Sequence, residues 1–142
     1  MMTSALPLLF IVVSTAVLAV TRNLFTSSPL VIAAQIAALG LNLWARRSFE
    51  AGTFRVSAAP AGTSIIRSGP YRVIRHPMYS SALLFIWAAV ISHLSALTLT
   101  IGVAVTAVVV TRVIAEERLL TAQYPAYRDY ARSTKALVPF LF

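Results

Sequence analysis

The chain has 142 residues, 58% hydrophobic and 11% charged, with a mean hydropathy of +0.81. A soluble domain carries about 25% charged residues, so this chain cannot cover a water-facing surface; a soluble globular enzyme, a disordered chain and a coiled coil are excluded. The net charge of +8, from 12 Lys+Arg against 4 Asp+Glu, then points to cytoplasmic loops and anionic lipid rather than nucleic acid, and the lack of cysteine excludes disulfides, thiolate metal sites and cysteine nucleophiles.

In chain order, the charges divide the sequence. No charged side chain occurs from Met1 to Thr21, which predicts a first span over about 5–20. Val17-Leu18-Ala19 would also serve as a signal-peptide cleavage site; the absence of a basic residue before the apolar run weighs against that alternative. A short turn ends at Pro29, and an uncharged stretch predicts a second span over about 30–45. Residues 46–76 then hold Arg46, Arg47, Arg55, Arg67, Arg72, Arg75 and Glu50, and read as a polar loop.

No acidic residue, Lys or Arg lies between Arg75 and Arg112. As one helix that interval would run about 54 Å at 1.5 Å per residue, too long for a hydrocarbon core of about 30 Å. Two short spans, about 78–92 and 96–113, fit instead, turning at Ser92-His93-Leu94-Ser95. A polar tail over 114–142 completes the chain, with Tyr124, Tyr127 and Tyr130 spaced to share one face of a short amphipathic helix. The expectation is an all-α integral membrane protein, a single domain of about four transmembrane helices with a cytoplasmic loop and a C-terminal amphipathic helix.

Orientation follows the basic residues. The 46–76 loop and the segment from Arg112 onward hold all of them but Arg22, which places both termini and the loop in the cytoplasm. Lys135 is the one lysine, an arginine bias that fits a GC-rich bacterial genome; the expected location is the bacterial inner membrane.

Two clusters carry chemistry. The first, Ser68-Gly69-Pro70-Tyr71-Arg72-Val73-Ile74-Arg75-His76-Pro77-Met78-Tyr79, stands before the third span. Gly69-Pro70 signals a turn and Pro77 suits the first turn of a helix, so Arg75 and His76 flank a helix N-terminus, where backbone N–H groups favour an anion. The bland reading, an interfacial belt of Tyr and Arg, suits Arg67 and Arg72. The second cluster runs from Arg112 through Glu116, Glu117 and Arg118 to Tyr124-Pro125-Ala126-Tyr127-Arg128-Asp129-Tyr130. Arg112 and Glu116 are spaced to pair on one helical face; Glu117 points about 100° away, where a carboxylate at membrane depth needs a partner or a cation. The alternative is a solvated helix end. Gln35 and Asn42 share one side of the second span and suit interhelical hydrogen bonds. His93 reads as a surface residue, and two separated histidines without cysteine argue against a metal site.

Together these residues resemble the isoprenylcysteine carboxyl methyltransferase family, with its relatives among phospholipid N-methyltransferases. The resemblance rests on Gly69-Pro70-Tyr71-Arg72, then Arg75-His76-Pro77-Met78-Tyr79, then after one hairpin Glu116-Glu117, Tyr127, Tyr130 and Pro139, about half the chain. The chain departs from the family at Ser81, where glycine is frequent, and at Tyr124-Pro125, where Phe-Gly is. The resemblance implies S-adenosylmethionine as methyl donor, bound on the cytoplasmic side between hairpin and tail, with Tyr71, Arg75, His76, Pro77, Tyr79, Glu116, Glu117 and Tyr127 as its site. A carboxylate acceptor would need no base, and Arg118 or Arg128 would orient it; an amine or thiol would pass a proton to Glu117 or His76. The expected activity is methyl transfer to a lipophilic acceptor, with the bilayer and a lipid or lipophilic small molecule as partners and no nucleic acid. Bacteria generally lack prenylated proteins, so the family name does not name the acceptor. Two rival readings are a non-catalytic membrane protein that binds anionic lipid or a partner subunit, and a lipid reductase, which NADPH binding would identify.

Overall fold

The structure, a computed structural model, describes residues 5–48 and 65–138. The middle of the expected loop, with Glu50 and Arg55, and Pro139 of the motif lie outside them. The described residues form five α-helices, α1 (Ala5–Val20), α2 (Pro29–Arg47), α3 (Pro77–Ser92), α4 (Ala96–Gln123) and α5 (Tyr127–Ser133), with a 3-10 turn over Gly69–Arg72 and no strand.

Local chemistry sets the boundaries. Proline occupies the first position of α2 and of α3, where a missing N–H costs nothing. Arg46 and Arg47 end α2, favourable to the helix dipole. The third-to-fourth helix turn falls where the sequence predicts it. Ser95 caps α4 by accepting from the Thr98 amide at 3.2 Å, while the Thr98 hydroxyl accepts from the Ser95 amide at 3.0 Å. Helix α4 ends at Gln123 because Tyr124, before Pro125, is extended.

One expectation changes. The charge pattern starts the tail at residue 114, yet α4 continues unbroken to Gln123. Residues 114–123 contain no Gly or Pro and several strong helix formers, so nothing stops the helix where the apolar stretch does. The amphipathic helix is α5, seven residues long, burying Tyr127 and Tyr130 and exposing Arg128, Asp129 and Arg132.

Helix α2 packs along α3, α3 pairs with α4 as a hairpin, and α1 lies against α4 and α3. Leu18, Ile86, Ala89, Val90, Val105 and Val109 form the core and are fully or almost fully buried. Outside them the surface is apolar, with Val20, Phe25, Leu30, Ile36 and Ile91 exposed, as hydrocarbon surroundings demand and water would penalise. Helices α2 and α4 are long and apolar enough to cross a membrane; α1 and α3 are apolar but have 16 residues each.

The two polar residues of α2 singled out by their spacing are paired. Asn42 donates to the Ser81 hydroxyl at 2.9 Å and joins α2 to α3, as its spacing suggested. Gln35 is buried but donates to the Leu24 carbonyl at 2.8 Å, fixing the α1–α2 turn instead of a neighbouring helix. That carbonyl belongs to a short turn and has no helical partner to take.

Candidate functional site

The approach to α3 is set by Gly69. Its φ of 57° is the left-handed region, and a Cβ there would collide with the Ser48 side chain. The 3-10 turn that follows delivers Val73–His76 beside the tail. The Arg75 amide donates to the Lys135 carbonyl at 2.7 Å, the Lys135 amide to Val73 at 3.0 Å, and the His76 amide to Ala136 at 3.0 Å, a short parallel ladder. The amides of Arg75 and His76, just ahead of the helix, are therefore taken by the chain itself.

The ladder, the start of α3 and the end of α4 converge on an ionic cluster. Arg75 Nε donates to Glu117 Oε1 at 2.6 Å. His76 lies between the two carboxylates, Nε2 at 3.2 Å from Glu117 Oε1 and Nδ1 at 3.6 Å from Glu116 Oε2. Glu116 Oε1 accepts from the Tyr79 hydroxyl at 2.8 Å and from Arg112 Nε at 2.8 Å. The cluster joins residues more than forty positions apart along the chain.

Burial alone would lower the affinity of His76 for a proton, but its contacts with Glu116 and Glu117 and their charges outweigh this and raise its pKa above 6.5. Burial alone would raise the pKa of Glu117, yet the bonds from His76 and Arg75 and the Arg75 charge bring it down to about 2. Glu116 is likewise lowered against burial, by His76, Tyr79 and Arg112. The cluster is thus two carboxylates among two guanidinium groups and one imidazole.

The other expected residues surround it. Pro77 is buried in the first turn of α3. Tyr71 is buried, and its carbonyl accepts from the Tyr130 hydroxyl at 2.6 Å. Tyr127 packs edge-on to Tyr130 with ring centres 5.7 Å apart. Its hydroxyl is buried without a hydrogen-bond partner among the described residues. Burial and the nearby Glu117 charge push that phenol's pKa up, so it is a neutral hydroxyl at ordinary pH. Arg67, read as an interfacial residue, lies over the Tyr130 ring at 5.4 Å and donates to the Ala126 carbonyl at 3.2 Å.

Glu117, Arg118 and Arg128 come together at an open groove of about 510 Å³, completed by Ile114, Thr121 and Ala122. Arg118 and Arg128 are exposed, whereas the Glu117 side chain is 27% exposed and belongs to both groove and cluster. The groove therefore has a carboxylate wall, two cationic flanks and an apolar edge. Sequence reading did not find the carbonyls of Ala131 and Thr134, which accept from Arg75 Nη1 at 2.9 and 2.5 Å; backbone acceptors leave no mark in side-chain pattern. Among the described residues no group of three or more His, Asp or Glu is arranged to hold a metal ion.

A stretch of 79 residues is 32% identical to the "Cobalt-zinc-cadmium resistance protein CzcN" of Cupriavidus metallidurans, covering 55% of this chain and 37% of that protein. The chain thus spans little more than a third of the curated relative it matches. No solved structure matches. Residues 30–127, from α2 to the start of α5, match the family described as phospholipid methyltransferase, and the chain belongs to that family.

Proposed function

We propose that the protein is an integral membrane methyltransferase that uses S-adenosylmethionine to methylate a lipophilic acceptor. The observation that carries this reading is the convergence of two separated motifs, Arg75-His76-Pro77-Met78-Tyr79 and Glu116-Glu117, on one ionic cluster that opens into a groove.

The residues present fit the cofactor in two respects. Glu117 presents a half-shielded carboxylate that stays ionised, a suitable partner for the ammonium of the methionine moiety. Tyr127 offers a buried hydroxyl that lies near Arg75 and makes no hydrogen bond among the described residues. When bound, the cofactor supplies an electrophilic methyl group. Glu117 fixes one end of the ligand, and the aromatic faces of Tyr71, Tyr79 and Tyr127 suit adenine and a sulfonium cation. Arg118 and Arg128 orient an acceptor bearing a carboxylate, which needs no base. Alignment of nucleophile and methyl group matters more here than acid–base strength.

The same reading sets four membrane-embedded helices in a bacterial inner membrane with both termini in the cytoplasm. The 16-residue α1 and α3 run about 24 Å, short of a core of about 30 Å, a mismatch met by local thinning or snorkelling. The cluster then lies at the cytoplasmic surface. Cofactor reaches it from water, and acceptor from lipid past Ile114.

Calorimetric titration of S-adenosylhomocysteine into the protein in detergent tests the proposal. Wild type binds, and His76→Ala and Glu117→Ala each lose at least about tenfold in affinity, the loss expected when a charged partner is removed. Absence of wild-type binding, or equal binding by the variants, overturns it. Binding that instead tracks anionic lipid content favours a non-catalytic lipid-binding protein.

A further inference from the structure

A guanidinium carries five N–H donors in a fixed fork. Arg75 spends four: Nε on Glu117 Oε1 at 2.6 Å, one Nη2 hydrogen on Glu117 Oε2 at 3.4 Å, and both Nη1 hydrogens on the carbonyls of Ala131 and Thr134. Its side chain is 11% exposed. The two carbonyls stand at the end of α5, where helical carbonyls lack intrahelical donors and a cation is favoured. The backbone of Arg75 holds the same segment through Lys135. Little of this residue is left for a ligand.

The effect on Glu117 is asymmetric. Among the described residues, Oε1 carries both short contacts, from Arg75 Nε and His76 Nε2, while Oε2 receives only the 3.4 Å contact. Oε2 is therefore the oxygen with acceptor capacity to spare, on a side chain that lines the groove.

We propose that Arg75 is a positioning residue: it holds Glu117 by one oxygen so that the other serves a ligand, and it clamps residues 131–134 beside that carboxylate. It acts through Glu117 and touches neither cofactor nor acceptor. Lysine cannot replace it, since a single ammonium lacks the fork that spans a carboxylate and two carbonyls.

The first test needs no ligand and is independent of the proposed function. The chain has three glutamates, Glu50, Glu116 and Glu117, so carboxyl-labelled glutamate gives a resolvable carbon NMR titration in micelles. In Arg75→Gln the Glu117 midpoint rises from about 2 by roughly a unit or more toward the ordinary carboxylate value. Amide hydrogen exchange at 131–137 quickens by about tenfold or more. Arg75→Lys, the milder variant, restores part of the titration and little of the exchange protection. An unchanged titration and unchanged exchange in Arg75→Gln overturn the proposal. The second test rests on the proposed function and uses S-adenosylhomocysteine affinity in a double-mutant cycle. Arg75→Gln alone weakens binding by about tenfold, and adding it to Glu117→Gln costs less than about threefold more. Fully additive losses mean that Arg75 meets the ligand directly and overturn the proposal. If wild type binds no S-adenosylhomocysteine, the proposed function fails while the titration and exchange still decide the role of Arg75.

Discussion

At the scale of single residues, scarcity made the cluster legible. With four acidic side chains in the chain, an adjacent pair at Glu116-Glu117 stands out, as does a histidine between arginine and proline. The partners of Arg75 were not legible, because two of them are backbone carbonyls that any residue supplies. Tyr130 shows the same limit. Its spacing marked a buried face, but not that its hydroxyl donates to the Tyr71 carbonyl at 2.6 Å. Tyr130→Phe keeps the ring under Arg67 and removes that donor. The expected cost is about 1 kcal/mol, the net worth of a buried neutral hydrogen bond, measured as a lowered thermal midpoint in detergent with the Arg67 contact retained.

At the scale of elements, the hairpin was legible as a length contradiction: an uncharged interval too long for one span and marked by a polar turn. The end of α4 was not, because charge marks where lipid gives way to water and says nothing of where helical hydrogen bonding stops. The hairpin packs closely at Gly102. A Cβ there would meet Val90 Cγ2 at 3.2 Å and the Trp87 ring at 3.3 Å, beside the Trp87 Nε1 bond to the Thr106 hydroxyl at 3.0 Å. Small residues allow this approach between helices in lipid. Gly102→Leu forces α3 and α4 apart and costs about 1–3 kcal/mol by overpacking, while Gly102→Ala needs a shift of only a few tenths of an ångström. Denaturant unfolding in micelles separates the two variants; equal stability would mean that α3 and α4 are not in contact at Gly102.

For the whole molecule, the ionic cluster makes stability depend on pH from both sides. The carboxylates of Glu116 and Glu117 lie below their ordinary value of 4.5, so their contribution is complete above that value and lost as pH falls toward about 2. His76 lies above its ordinary value of 6.5. Its contribution is complete below about 6.5 and lost as pH rises through its folded-state value. Thermal unfolding should therefore be highest between about pH 4.5 and 6.5 and fall on each side, and Glu117→Gln should flatten the acid limb. An acid limb unaltered in that variant would mean that Glu117 is not held by Arg75 and His76.

The parallel ladder also fixes an order of events during synthesis. Arg75 leaves the ribosome 56 and 59 residues ahead of the carbonyls its guanidinium binds. Both helices of the hairpin lie between, so they are made before those acceptors exist. In the proposed topology Arg75 keeps its charge hydrated at the membrane surface until those acceptors are made. A chain arrested after Gln123 would carry Arg75, His76, Glu116 and Glu117, with nothing to close over them. Closure over the cluster therefore waits until residues 131–136 have left the ribosome.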